Sequence, residues 1–146
     1  MLRTTRTGLQ RGIDIDHFKR VNDTYGHNIG DDVIRLLAKS IKEGSRDSDL
    51  ICRTGGEEFL ARLPDTDMKQ TIDIAEWLRR KVEKKPLPIP ENITISLGVT
   101  CFIPGTEQID SVLKIADDAL YQAKHEGRNR VVAKVVPDSL IDSGTE

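Results

Sequence analysis

Cysteine is scarce in this sequence, long apolar runs are missing, and neither sign of charge dominates. The 146 residues hold only two cysteines, Cys52 and Cys101. They lie far apart and outside any metal-type spacing, so both are expected as buried, reduced thiols of a cytoplasmic protein. No apolar stretch is long enough to cross a membrane. No charged segment leads into an apolar export signal. A formal net charge of -2 gives no electrostatic case for a nucleic-acid polymer as partner. No internal repeat is visible. What is present is 37% hydrophobic and 32% charged residues, a balance that suits one soluble domain with a real core.

Helical and extended patterns alternate along the chain. Asp14 to Tyr25 passes from a strand end into a short helix. Ile29 to Lys42 carries an apolar stripe at Val33, Leu36, Leu37 and Ile41 and ends near Gly44. Asp67 is placed to cap a helix with a stripe at Ile72, Ala75, Leu78 and Val82, which Pro86 stops. Ile93 to Ile103 reads as the clearest strand. Val112, Ala116, Ala119, Leu120 and Ala123 mark the last long helix, ended by Gly127, and Val131 to Val136 reads as a closing strand. This order fits an α+β fold of the split βαβ, ferredoxin-like kind: an antiparallel-rich sheet with flanking helices. The domain is expected over residues 1–136, with a polar, disordered tail over 137–146.

Between the second and third helical patterns lies Gly55-Gly56-Glu57-Glu58-Phe59, flanked by Leu50 to Arg53 and by Leu60 to Leu63. The pattern is that of a β-hairpin, and the glycines are expected to supply positive φ in its turn. Two adjacent acids at a hairpin tip repel one another. A metal ion, or a phosphate ligand with its metal, would relieve that repulsion; a solvated tip with two exposed acids is the alternative. Asp14 and Asp16 alternate with Ile13 and Ile15, which places the acids on one strand face and the isoleucines on the core face. Asp14 and Glu57 are a candidate ligand pair for Mg2+, provided that their strands are neighbours.

Taken together, the residues resemble a known family. Asp14 to His27 (DIDHFKRVNDTYGH), Gly30-Asp31-Asp32, Gly55 to Phe59, Asp117 to Lys124 (DDALYQAK) and Gly127 to Arg130 look like a GGDEF domain, the diguanylate cyclase domain of bacterial signalling. The motifs run colinearly from about Gly12 to Val132. The resemblance implies a nucleotide-cyclase-like fold and a reaction in which two GTP condense to cyclic di-GMP with release of pyrophosphate. Two domains must then face each other as a homodimer. It implies Mg2+ (or Mn2+) held by Asp14 and Glu57 with help from the Ile15 carbonyl, and Glu58 beside the attacking hydroxyl. Asn22 and Asp31 would read guanine. Gly55 and Gly56 would let the backbone approach the nucleotide closely. Phe18, Lys19, Lys124 and Arg128 would hold phosphates. Arg46 and Asp49 match the family's Arg-x-x-Asp inhibitory motif, where the product cyclic di-GMP binds, and Arg79 or Arg80 is a candidate further arginine there. No histidine is assigned a catalytic role.

The start of the chain departs from that pattern. Residues 1–11 are an atypical remnant of the domain start, and only Thr7 to Arg11 resembles the end of the family's helix-entry signature. The first helix and the apolar half of the first strand are expected to be missing, about thirty residues of an ordinary domain. With Arg6, Gln10 and Arg11 the segment is expected to make a poor core strand. Weaker guanine binding and a sheet face or edge covered by a second copy are the expected consequences. An inactive module that binds cyclic di-GMP or GTP as a sensor is the alternative to an active cyclase.

Overall fold

A computed structural model describes residues 6–105 and 108–137, with the backbone alone at 11 and 12. The expected tail beyond Pro137 and the opening of the remnant at 1–11 lie outside the described residues. Five strands and four helices follow in the order β1 (Thr7–Ile15), α1 (Phe18–Tyr25), α2 (His27–Glu43), β2 (Leu50–Arg53), β3 (Glu58–Leu63), α3 (Met68–Lys84), β4 (Ile95–Phe102), α4 (Ile109–His125) and β5 (Val131–Ala133). The sheet order is β2-β3-β1-β4-β5. Only β4 and β5 run parallel. The expected α+β class and antiparallel-rich sheet are therefore in place.

The first strand is not shortened. Thr7–Ile15 is nine residues long and pairs with β3 on one side and β4 on the other, at the centre of the sheet. The polar side chain that argued against a core strand is accommodated by a hydrogen bond: buried Gln10 donates from Nε2 to the Thr71 carbonyl at 3.4 Å. Two differences from the sequence reading are smaller. The β4 strand ends one residue earlier than expected, and β5 closes at Ala133 rather than Val136.

Helices cover both faces. On one face α1, α2 and α3 bury Val21, Val33, Leu37, Ala75 and Leu78 against Ile13, Ile15, Phe59, Leu97 and Val99. On the other, α4 lies directly on β4 at Gly98, where a Cβ would fall 2.3 Å from both the Ala116 carbonyl oxygen and the Leu120 nitrogen. Leu9, Phe102, Val112 and Ala116 form the core of this second face. The α3 helix starts as expected at Asp67, whose side chain accepts from the Gln70 amide at 2.8 Å in a capping box.

A bulge in β1 sets the faces. Gln10 pairs with Ala61 and Val99, but Asp14 pairs with Glu58 and Ser96, so β1 holds one residue more than either neighbour over this stretch. The extra residue inverts the side-chain alternation. Gln10 reaches toward α3, whereas Asp14 reaches α4 and ion-pairs with Lys124.

Candidate active site

Asp14 is the last residue but one of the central strand and is 6% exposed. Its direct cross-strand partner is Glu58, the first residue of β3, and the Ile15 amide donates to the Glu57 carbonyl at 3.3 Å. The expected neighbour relation between the Asp14 strand and the hairpin thus holds. Burial raises the Asp14 carboxyl above its ordinary value. The Lys124 ammonium opposes the rise, and the charges of Glu57 and Glu58 add to it. The arrangement is three acids at one strand end, with the Lys124 ammonium paired to buried Asp14. Among the described residues, no three acids, histidines or cysteines could by themselves hold a metal ion.

The hairpin differs from expectation at its glycines. Neither Gly55 nor Gly56 has a positive φ. The turn is closed instead by the Thr54 and Gly55 amides, which donate to the Glu58 carbonyl at 2.9 and 3.4 Å. Arg53 braces it from the side, donating from Nε to the Gly55 carbonyl at 3.2 Å and from Nη2 to the Gly56 carbonyl at 2.7 Å. A Cβ on Gly56 would meet nothing within 4 Å, and one on Gly55 only the Glu58 Cβ at 3.8 Å. Neither backbone strain nor internal packing explains the two glycines. They leave open space beside the acids.

Two residues beyond β1, α1 is preceded by its N-cap residue His17, which takes a left-handed conformation (φ 56°) and makes no side-chain cap. The His17 carbonyl accepts from the Val21 amide at 3.3 Å, but no side chain caps the first amides of α1 around buried Phe18 and exposed Lys19, an arrangement that favours anions. On the same helix Asn22 packs against Gly30 of α2: a Cβ on Gly30 would fall 1.8 Å from Asn22 Oδ1. That oxygen is buried with no hydrogen-bond partner. An unpaired buried acceptor costs stability. Asp31, exposed, follows Gly30 directly, so the structure brings Asn22 and Asp31 together around one glycine.

At the end of α4, Lys124 turns in to Asp14, and Arg128 follows the helix in a left-handed conformation (φ 65°), its amide bonded to the Ala123 carbonyl at 2.9 Å. This turn is anchored by a residue that the spacing did not single out as a site residue. Asp16 accepts from Thr94 Oγ1 at 2.7 Å, Ser96 Oγ at 2.6 Å and the Asn129 amide at 3.0 Å. The motif reading had no signal for this. Alternation puts Asp14 and Asp16 on one face, and only the contacts separate an acid left to the site from one absorbed by hydrogen bonds.

Arg46 and Asp49 form a pair of their own. Arg46 donates to Asp49 from its amide at 2.9 Å and from Nη2 at 2.9 Å, and Nη2 also reaches the Pro64 carbonyl and Thr66 Oγ1. The Asp49 side chain is 2% exposed beneath it. Arg79 is not available to them: its guanidinium is taken by Glu76 at 3.0 Å and by Asn129 Oδ1 at 3.0 Å. Of the two cysteines, Cys101 is buried as expected but Cys52 is exposed on β2, an edge strand of the sheet.

The sequence matches the family model of the diguanylate cyclase GGDEF domain over residues 11–130. It is 44% identical over 127 residues to the response regulator PleD of Caulobacter vibrioides, covering 84% of this chain and 28% of that protein. It is 45% identical over 121 residues to the diguanylate cyclase DgcM of Escherichia coli, covering 83% and 29%. The chain thus spans under a third of the length of these relatives. Among solved structures, the GGDEF domain of DgcB from Caulobacter crescentus in complex with c-di-GMP superposes with a TM-score of 0.82 at 38% identity, over 88% of this chain and 78% of that one. The active GGEEF domain of a diguanylate cyclase from Vibrio cholerae gives 0.82 at 34% identity, over 88% and 83%.

Proposed function

We propose, for a chain that belongs to the GGDEF-domain family of diguanylate cyclases, the condensation of two GTP into cyclic di-GMP with release of pyrophosphate. The observation that carries this reading is the meeting of Asp14, Glu57 and Glu58 at one strand end, with Lys124 as the counter-charge. Each 3′-hydroxyl attacks the α-phosphate held by the opposite copy, so the reaction needs a homodimer. Cytoplasmic GTP is the substrate, and the residues at 1–136 act as one catalytic unit.

The donor set suits a divalent cation of the Mg2+ or Mn2+ kind. Asp14 and Glu57 offer hard carboxylate oxygens and Ile15 a carbonyl; burial, with the charges of Glu57 and Glu58 adding to it, lifts the Asp14 carboxyl, and a cation beside it would favour the ionised form. Such an ion, when bound, neutralises phosphate charge and favours the attacking alkoxide. Glu58 lies beside the hydroxyl and takes its proton. The guanine N1–H and 2-amino group donate to the orphaned Asn22 Oδ1 and to Asp31, and adenine, with an N1 acceptor and a C2–H on that edge, would leave those oxygens unpaired. The uncapped α1 terminus at Phe18 and Lys19 receives β- and γ-phosphate oxygens, with Lys124 and Arg128 beside them. Gly55 and Gly56 keep clear the space that the nucleotide occupies. Arg46 and Asp49 form the product-inhibitory site, in which release of their mutual pair frees both for a guanine and a phosphate.

Purified chain incubated with GTP and Mg2+ should yield cyclic di-GMP at a rate rising with the square of chain concentration at low occupancy of the dimer. Glu58→Gln should abolish it. Measurable guanine-nucleotide binding without product at high chain concentration would replace this reading with that of a sensor module.

A further inference from the structure

We propose that Asn129 is a positioning residue for the phosphate end of the site: its side chain ties the turn that carries Arg128 to α3 and so fixes where the Arg128 guanidinium lies. The inference rests on the reading of Arg128 as a phosphate holder given above.

The turn between α4 and β5 is conformationally demanding. Gly127, Arg128 and Asn129 take positive φ in succession, at 124°, 65° and 46°. Asparagine enters the left-handed region at small cost, but a long side chain such as arginine is disfavoured there. Such a residue persists only where its surroundings over-determine it. The backbone bonds around it are in place. The Arg128 amide donates to the Ala123 carbonyl at 2.9 Å, the Arg128 carbonyl accepts from Arg130 Nε at 3.0 Å, and the Asn129 amide donates to Asp16 at 3.0 Å.

The Asn129 side chain adds a tie to α3. Its Oδ1 accepts from Arg79 Nη1 at 3.0 Å, and its Nδ2 donates to Glu83 at 2.6 Å. Arg79 and Glu83 stand one turn apart on α3, 3.8 Å from each other, so the three side chains close a ring. That ring needs a carboxamide, which accepts from the guanidinium at one end and donates to the carboxylate at the other. An aspartate would keep the acceptor, lose the donor and set a second carboxylate against Glu83. The anchor is firm: the Arg79 side chain is 16% exposed and pairs with Glu76 at 3.0 Å, and Ala75, Leu78 and Val82 root α3 in the core. The Arg128 guanidinium makes no ion pair among the described residues, so the backbone of this turn is what places it. A long side chain magnifies a backbone rotation, and a loosened turn would carry the guanidinium away from a phosphate.

Two nucleotides separate this role from a general loosening of the fold. 3′-Deoxy-GTP, which lacks the attacking hydroxyl, reports guanine and all three phosphates; GMP reports guanine and the α-phosphate alone. In calorimetry with Mg2+, Arg128→Ala should weaken 3′-deoxy-GTP about tenfold or more. Asn129→Gly, which keeps the left-handed turn and removes both side-chain bonds, should weaken it about threefold to tenfold, with GMP affinity unchanged in both variants. Asn129→Asp should show the same selective loss, and Glu83→Gln added to it should restore affinity, because an amide at position 83 donates to the new carboxylate. The Asn129→Asp pair of variants serves where Asn129→Gly fails to fold. Loss of both nucleotides together, parent-like binding of 3′-deoxy-GTP by the Asn129 variants, or a double variant no better than Asn129→Asp would overturn the tie. The phosphate reading then stands if Arg128→Ala keeps its selective loss. An Arg128→Ala variant that binds 3′-deoxy-GTP as the parent does would remove the phosphate reading, and the tie with it.

Discussion

Gln10 and Asp14 belong to one strand and face opposite sides of the sheet. Simple alternation would put them on the same side, and the single extra residue between them, absorbed as a bulge against both β3 and β4, separates them. Gln10 is thereby spent on α3, and Asp14 is delivered to the face where Glu58 and Lys124 meet it. Bulges are known to re-aim side chains next to functional sites. Here the re-aimed group is the acid on which the proposed chemistry depends.

Removing that extra residue tests the point. Deletion of Gly12 should give β1 strict alternation with Gln10, Ile13 and Ile15 on one face and Asp14 on the other, the faces they hold now. The expected result is a chain that melts cooperatively and still binds GTP, whereas a second glycine inserted after Gly12 adds one more residue of slip and should cost the cooperative transition or nucleotide binding. An insertion variant that melts and binds GTP as the parent does would show that the parity of β1 does not decide the face of Asp14.

Asp16 should matter to stability more than a surface acid does. Its carboxylate is 7% exposed and takes hydrogen bonds from Thr94, Ser96 and the Asn129 amide. Asp16→Ala leaves these donors unpaired and releases the turn that carries Arg128, at an expected cost of about 2–4 kcal/mol in chemical denaturation. A loss below about 0.5 kcal/mol, the size of an ordinary surface change, would contradict this role.

Asp14 should behave in the opposite way. Burial and the neighbouring Glu57 and Glu58 raise its carboxyl above its ordinary value despite Lys124. A carboxyl raised on folding stabilises the fold relative to its ionised form only while it stays protonated. Stability is therefore lost as pH climbs from the unfolded value through the folded one. Asp14→Asn removes that penalty. At pH 7 its melting temperature should lie a few degrees above the parent, about 2–6 °C, and the gap should close in acid. GTP turnover should fall about a hundredfold or more. Mg2+ with GTP should raise the melting temperature of the parent and not of the variant. A variant that melts lower at pH 7 would mean that the Lys124 pair outweighs burial.

Gly56 separates fold from function. With ordinary φ and open space around it, Gly56→Ala should change stability by no more than about 0.5 kcal/mol. Activity should drop at least about tenfold, because the added methyl occupies space assigned to the nucleotide. Parent-like turnover by a well-folded Gly56→Ala would remove the steric argument for the glycine pair.

Much of this was legible in the chain. The α3 stripe with its Asp67 cap and the Gly55 to Phe59 hairpin follow from periodicity and motif spacing, whereas the pairing of that hairpin with the Asp14 strand was a condition that only the sheet register met. The errors have physical causes. Positive φ was expected at Gly55 and Gly56 because tight hairpin turns use it, but a longer loop braced by Arg53 does not need it. Cys52 was expected buried because alternation gives a side chain's face and not what covers that face. The strand from Thr7 was expected to be weak because Gln10 is polar, and the Thr71 carbonyl that satisfies Gln10 lies sixty-one residues away.

By itself, then, the sequence determined the element order and the apolar stripes, which depend on local periodicity, and it carried the motifs whose resemblance singles out residues 14, 22, 31, 57, 58, 124 and 128. Tertiary structure alone decided that Asp14 faces the site while Asp16 is absorbed into the Asn129 turn, and that Asn22 Oδ1 is left buried and unpaired. Such outcomes rest on strand register and on hydrogen bonds between residues distant in sequence. A period of two cannot register the one-residue slip that chose which face Asp14 would occupy.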